Sequence, residues 1–171
     1  MRSVLAALIL WIVVAVPASA TTMQALVVGV SEYKSAPTLA NTDRDAKAVA
    51  RFLRTAGFTV RLLLDPTGEE LTQAAAGYVA AASRPDTVSF LYFSGHGLQF
   101  GNRNWLLGAD VEIDRWRERA LDIQSVLSSL KPVSRAVNVT VLDACRELPK
   151  TWLRADVRDG LRPLAARRDS L

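Results

Sequence analysis

The chain has 171 residues, half of them apolar and 7% aromatic, with a formal charge of +4. That is enough for one domain with a real core, and it excludes collagenous, low-complexity and disordered classes. The positive excess gathers at the end, where Lys150, Arg154, Arg158, Arg162, Arg167 and Arg168 face Asp156, Asp159 and Asp169. Without aromatic interleaving or a base-reading motif this reads as a solvated basic tail or linker, and no nucleic-acid partner is expected.

Arg2, the apolar run Val4 to Val16 and Pro17-Ala18-Ser19-Ala20 have the layout of a secretory signal peptide cut after Ala20. The run is shorter than the roughly 20 residues that span a bilayer. Residues 1–20 are therefore expected to be removed, giving an exported protein, periplasmic or extracellular, with no membrane partner after removal. Gln24 to Val30 is an apolar run suited to a strand buried on both faces. A polar loop from Pro37 leads to Ala46, Val49, Ala50 and Leu53 at helical spacing, and Gly57 stops that helix. Thr59 to Leu64 reads as a second strand ended by Asp65-Pro66.

Thr67 and Glu70 form a capping box before a helix whose stripe is Leu71, Ala74, Ala75, Tyr78, Val79 and Ala82. Asp86 to Phe93 is a third apolar strand, and Leu98 to Leu107, with Gly101-Asn102 at its middle, a small hairpin at the sheet's edge. Asp122 caps a short helix bearing Ile123, Val126, Leu127 and Leu130, and Val137 to Leu142 is the fourth strand. After Pro149 no fifth strand is evident. Strands alternating with helices predict an α/β three-layer sandwich, a mainly parallel four-stranded sheet flanked by helices.

Ligands in such sheets gather outside the carboxyl ends of the strands. The only histidine, His96 in Phe90-Leu-Tyr-Phe-Ser-Gly-His-Gly97, follows strand three. The only cysteine, Cys145 in Val139-Thr-Val-Leu-Asp-Ala-Cys145, follows strand four. A lone cysteine makes no internal disulfide, so it is core packing, an intermolecular link or a reactive thiol. A lone Cys and a lone His also fall short of a zinc-ligand set, so no metal site is assigned. At one rim the histidine would promote the thiolate that acts as nucleophile. Gly95 and Gly97 would let a peptide backbone approach, and the amides of Gly97 and Cys145 would face a developing oxyanion.

Tyr92-Phe-Ser-Gly-His-Gly97 and Asp143-Ala-Cys-Arg146, 49 positions apart from His96 to Cys145, resemble the two catalytic motifs of caspase and metacaspase peptidases, above all the bacterial orthocaspase type. The spacing in caspases is about 50. Ala25 to Val30 and Leu39 to Ala46 resemble that family's first strand and the start of its first helix. The resemblance implies a cysteine-type endopeptidase that hydrolyses peptide or protein substrates through a thioacyl intermediate, with His96 as base and then acid. It also implies cleavage after arginine or lysine, with Asp45 and Asp143 as substrate-binding carboxylates. Asp45 has a structural reading too, since Thr42-x-x-Asp45 is a capping-box pattern; Asp43 suits the first turn. Arg146 and Glu147 depart from the family's usual residues after the cysteine.

Residues 21–149 are expected to form the catalytic domain and 150–171 a basic tail, truncated or short. No cofactor is assigned. Calcium dependence is common among metacaspases, but no ligands for it stand out. Without the family's small-subunit strands, the edge beside strand four would be open to self-association or a partner chain. The rival reading is a non-catalytic caspase-like binding or regulatory module.

Overall fold

The structure, a computed structural model, describes residues 21–145, 152 and 157–164, with backbone alone at Cys145 and Asp159. Residues 1–20, read above as a signal peptide, Arg146, Glu147 and most of the tail lie outside them. Among the described residues seven strands form one sheet, β1 (Thr22–Gly29), β2 (Thr59–Leu64), β3 (Thr87–Phe100), β4 (Arg103–Leu107), β5 (Ala120–Asp122), β6 (Val137–Cys145) and β7 (Val157–Asp159). Its heart is the expected parallel set. β1 pairs with β2 on one side and β3 on the other, and β6 pairs with β3 beyond.

Local sequence explains the connections. The helix α1 (Thr42–Thr55) ends at Ala56, and Gly57 takes a left-handed φ of 91° that side chains resist. α2 (Gly68–Ala82) opens with the capping box, Thr67 Oγ1 accepting from the Glu70 amide while the Glu70 carboxylate accepts from the Thr67 amide. Asp122 caps α3 (Ile123–Ser129) by accepting from the amides of Gln124 and Ser125. The alternative reading of Asp45 does not hold. Asn41 is the N-cap, without a side-chain bond, and Thr42 lies inside the first turn, buried. Asp45 lies in that turn close to Arg44, while Asp43 pairs with Lys47.

The helices lie on both faces. Ala46, Ala50 and Leu53 of α1 pack on Ala25, Val27 and Tyr92. On the opposite face Leu71, Ala74, Ala75 and Tyr78 of α2, with Ile123 and Val126 of α3, cover Leu26, Val28, Leu91 and Phe93. These side chains are nearly all solvent-free, and burial of apolar area is the main stabilising contribution.

Three strands depart from the sequence reading, the first being the short β5, which was not expected and pairs with β4. β3 does not end at Phe93 but runs 14 residues to Phe100. Its far end keeps backbone partners by pairing antiparallel with β4 and with β7, so extended structure continues past the parallel sheet. β7 itself is a strand after Pro149 where none was evident. Three residues with no apolar alternation give no sequence signal, and the pairing Phe100↔Val157 with Leu98↔Asp159 creates it. Trp152 is buried with Leu98, Leu107 and Val157 in a second core beneath this antiparallel end.

Candidate active site

The register sets the two singular residues side by side. β3 and β6 run parallel with Tyr92 opposite Val141, Ser94 opposite Asp143, Gly95 opposite Ala144 and His96 opposite Cys145. Neighbouring strands lie about 4.8 Å apart and positions in register share a face. His96 thus lies within an extended β3 rather than after it. It still stands at the carboxyl rim of the parallel sheet, because β1 ends at Gly29, opposite Ser94.

The loop between β1 and α1 closes over the imidazole. The ring is fully buried, and its Nε2 lies 2.8 Å from the carbonyl oxygen of Pro37. A carbonyl oxygen only accepts, so Nε2 carries the proton in the neutral ring and Nδ1 is the basic nitrogen. The backbone N–H of His96 donates to Tyr33 Oη at 2.7 Å, and the two rings face each other at 4.8 Å and 52°. The loop is moored below by Asp65, whose Oδ1 accepts from the amides of Ser31 at 2.7 Å and Glu32 at 2.9 Å. Neither Tyr33 nor Pro37 stood out in the sequence, because their contacts with His96 span 63 and 59 positions of chain. The only hint was an aromatic residue just past the carboxyl end of the first strand.

The glycines flanking His96 serve packing inside the chain. A Cβ at Gly95 would sit 2.6 Å from Tyr33 Oη and 2.9 Å from the Phe93 ring. A Cβ at Gly97 would sit 2.7 Å from Leu161 Cδ2 and 3.2 Å from Ala144 Cβ. The space expected for a substrate backbone is, on these two sides, filled by the protein. Leu161 is delivered there by the segment after β7. Buried Asn104 holds that segment's backbone, donating to Arg162 O at 2.9 Å and accepting from Arg162 N at 3.0 Å.

Asp143 is exposed on β6, and Asp45 is partly exposed on α1. Both bear on Tyr92, which lies in the α1-side core. Burial pushes the Tyr92 phenol above its ordinary value, and the charges of Asp143 and Asp45 push it the same way. A hydrogen bond with the Ser94 hydroxyl works in the opposite direction. Among the described residues no three His, Cys, Asp or Glu side chains group as ion ligands would.

The chain resembles known proteins in sequence and in fold. The caspase domain family matches residues 22–168. Mucosa-associated lymphoid tissue lymphoma translocation protein 1 of Homo sapiens is 29% identical over 124 residues, which is 72% of this chain and 15% of that protein. Its Mus musculus homolog matches to the same extent, so the chain spans only a small part of either relative. The fold is shared with the crystal structure of protein GSU0716 from Geobacter sulfurreducens, at a TM-score of 0.59 and 18% identity over 76% of this chain and 53% of that one. With the matched region taking in nearly every described residue, the chain belongs to the caspase-domain family of peptidases.

Proposed function

We propose that the chain is a cysteine endopeptidase that cuts after arginine or lysine. The observation that carries it is the register of His96 with Cys145 on adjacent strands, together with the Pro37 carbonyl that leaves Nδ1 as the basic nitrogen. In this reading Nδ1 takes the Cys145 thiol proton and the thiolate attacks the scissile carbonyl carbon. The tetrahedral oxyanion is met by the amides of Gly97 and Cys145. Collapse expels the amine, which receives the proton from Nδ1. Water, deprotonated by the same nitrogen, then hydrolyses the thioester and returns the thiol.

Support for a basic residue at the cleavage site comes from Asp45 and Asp143. Two carboxylates recognise a guanidinium by paired, charge-assisted hydrogen bonds. A like-charged aspartate substrate would be repelled. Export is part of the same proposal, resting on the residue pattern at 1–20, and sequencing the mature N-terminus tests it by the appearance of Thr21.

Fluorogenic peptides ending in arginine, lysine or aspartate test the peptidase reading. Turnover of the first two, abolished by Cys145→Ala, is the expected result. A folded protein inert toward all three, with Cys145 ignoring a thiol-directed probe, would favour the non-catalytic module.

A further inference from the structure

We propose that Tyr33 is a positioning residue that holds His96 in its Nε2–H tautomer, an inference that deepens the role given above to His96. Three contacts converge on one side chain. Tyr33 Oη accepts the His96 backbone N–H at 2.7 Å, which fixes the height of the residue in the strand. The phenol ring lies at 4.8 Å and 52° against the imidazole, which limits rotation about the Cβ–Cγ bond. The same oxygen occupies the space left by the missing side chain of Gly95. Because Lys34 N donates to Ala109 O at 2.8 Å and Leu39 N to Ser31 O at 2.9 Å, the loop that carries Tyr33 also carries Pro37 at a set distance. One residue thus ties ring, backbone and carbonyl acceptor together.

The neutral imidazole would otherwise sample both tautomers, and only the one protonated at Nε2 offers Nδ1 as a base. The role assigned to Tyr33 is exerted through His96. Its contribution is to keep the Nε2-to-Pro37 bond formed, at 2.8 Å, while the proton moves at Nδ1.

His96 is the sole histidine, so an untagged, ¹⁵N-histidine-labelled chain gives a single pair of imidazole nitrogen signals. At alkaline pH the wild type is expected to show one tautomer, protonated at Nε2. Tyr33→Leu removes hydroxyl and ring, and should give a tautomer mixture with kcat lower by about a hundredfold and KM within about threefold. Tyr33→Phe keeps the ring and should fall between, with kcat lower by about tenfold. Gly95→Ala, which displaces the Tyr33 hydroxyl, should reproduce the mixture. If Tyr33→Phe and Tyr33→Leu, both folded, keep a pure Nε2–H signal, the inference is overturned. Should Leu not fold, Phe and Gly95→Ala decide it in the same way. The tautomer is read without turnover, so an inert wild type would defeat the peptidase reading while leaving this measurement decisive.

Discussion

The two strands that carry the candidate dyad differ sharply. β3 is the centre of the sheet, paired along its first part with β1 and β6 and along its last with β4 and β7. Leu91, Phe93, Ser94, His96 and Leu98 are all buried there. β6, one strand away, pairs among the described residues with β3 alone. Its Val137, Val139 and Val141 alternate on the face that α1 leaves uncovered, at 53%, 37% and 39% exposure. Among the described residues β3, which carries His96, has strands on both sides, while β6, which carries Cys145, has one neighbour. A strand held by one neighbour costs less to displace, and a strand edge invites a further strand.

Four experiments break or sharpen this contrast. Replacing Cys145 or His96 by alanine should cost at least about 10³-fold in kcat/KM toward an arginine peptide, with the cooperative unfolding transition retained. Asp143→Asn, on the same edge strand, should cost about a hundredfold toward arginine substrates and far less toward an uncharged analogue. Equal losses for both would remove the carboxylate from recognition.

Stability separates the strands next. Gly97→Ala on β3 forces a Cβ against Leu161 and Ala144 and should destabilise by about 2 kcal/mol. Val139→Ser on β6 should change stability by less than about 0.5 kcal/mol. Denaturant titration of both variants measures the difference. The same valine substitution tests the edge in a second way. If β6 pairs with another copy, sedimentation of the wild type will show association that Val139→Ser weakens. A monomer at every concentration would contradict that pairing.

The smallest effect lies away from both strands, at the start of α2. The Thr67 backbone N–H, and then its hydroxyl, hold the Glu70 carboxyl below its ordinary value. A carboxyl depressed on folding contributes stability above its unfolded value, and that contribution is lost as pH falls through the folded one. The melting temperature of Glu70→Ala should therefore lie below the wild type at neutral pH and converge with it in acid.

Much of the fold was legible because burial leaves simple patterns. Four apolar runs gave the four parallel strands, and Thr67 with Glu70, Asp122 and Gly57 marked helix boundaries through local bonds or backbone freedom. What escaped depends on distant partners. β7 exists because Phe100 and Gln99 offer it a ladder, and β5 because Leu106 and Leu107 do the same. Thr42 looked like an N-cap, but its burial in the turn leaves that place to Asn41. At the site, His96, Cys145, Asp45 and Asp143 could be named from residue type and motif. Pro37 acts through its carbonyl, which no side-chain pattern encodes, and Tyr33 through loop geometry closed by Asp65. The glycines beside His96 were visible, but that Tyr33 and Leu161 fill their space was not.

The most direct test is covalent capture of the single cysteine by peptidyl electrophiles, read by intact mass. The wild type should be modified once, at Cys145, and much faster by an arginyl than by an aspartyl reagent, with the advantage lost in His96→Ala. Equal, slow labelling by both reagents, unchanged when His96 is removed, would contradict a Cys145–His96 peptidase.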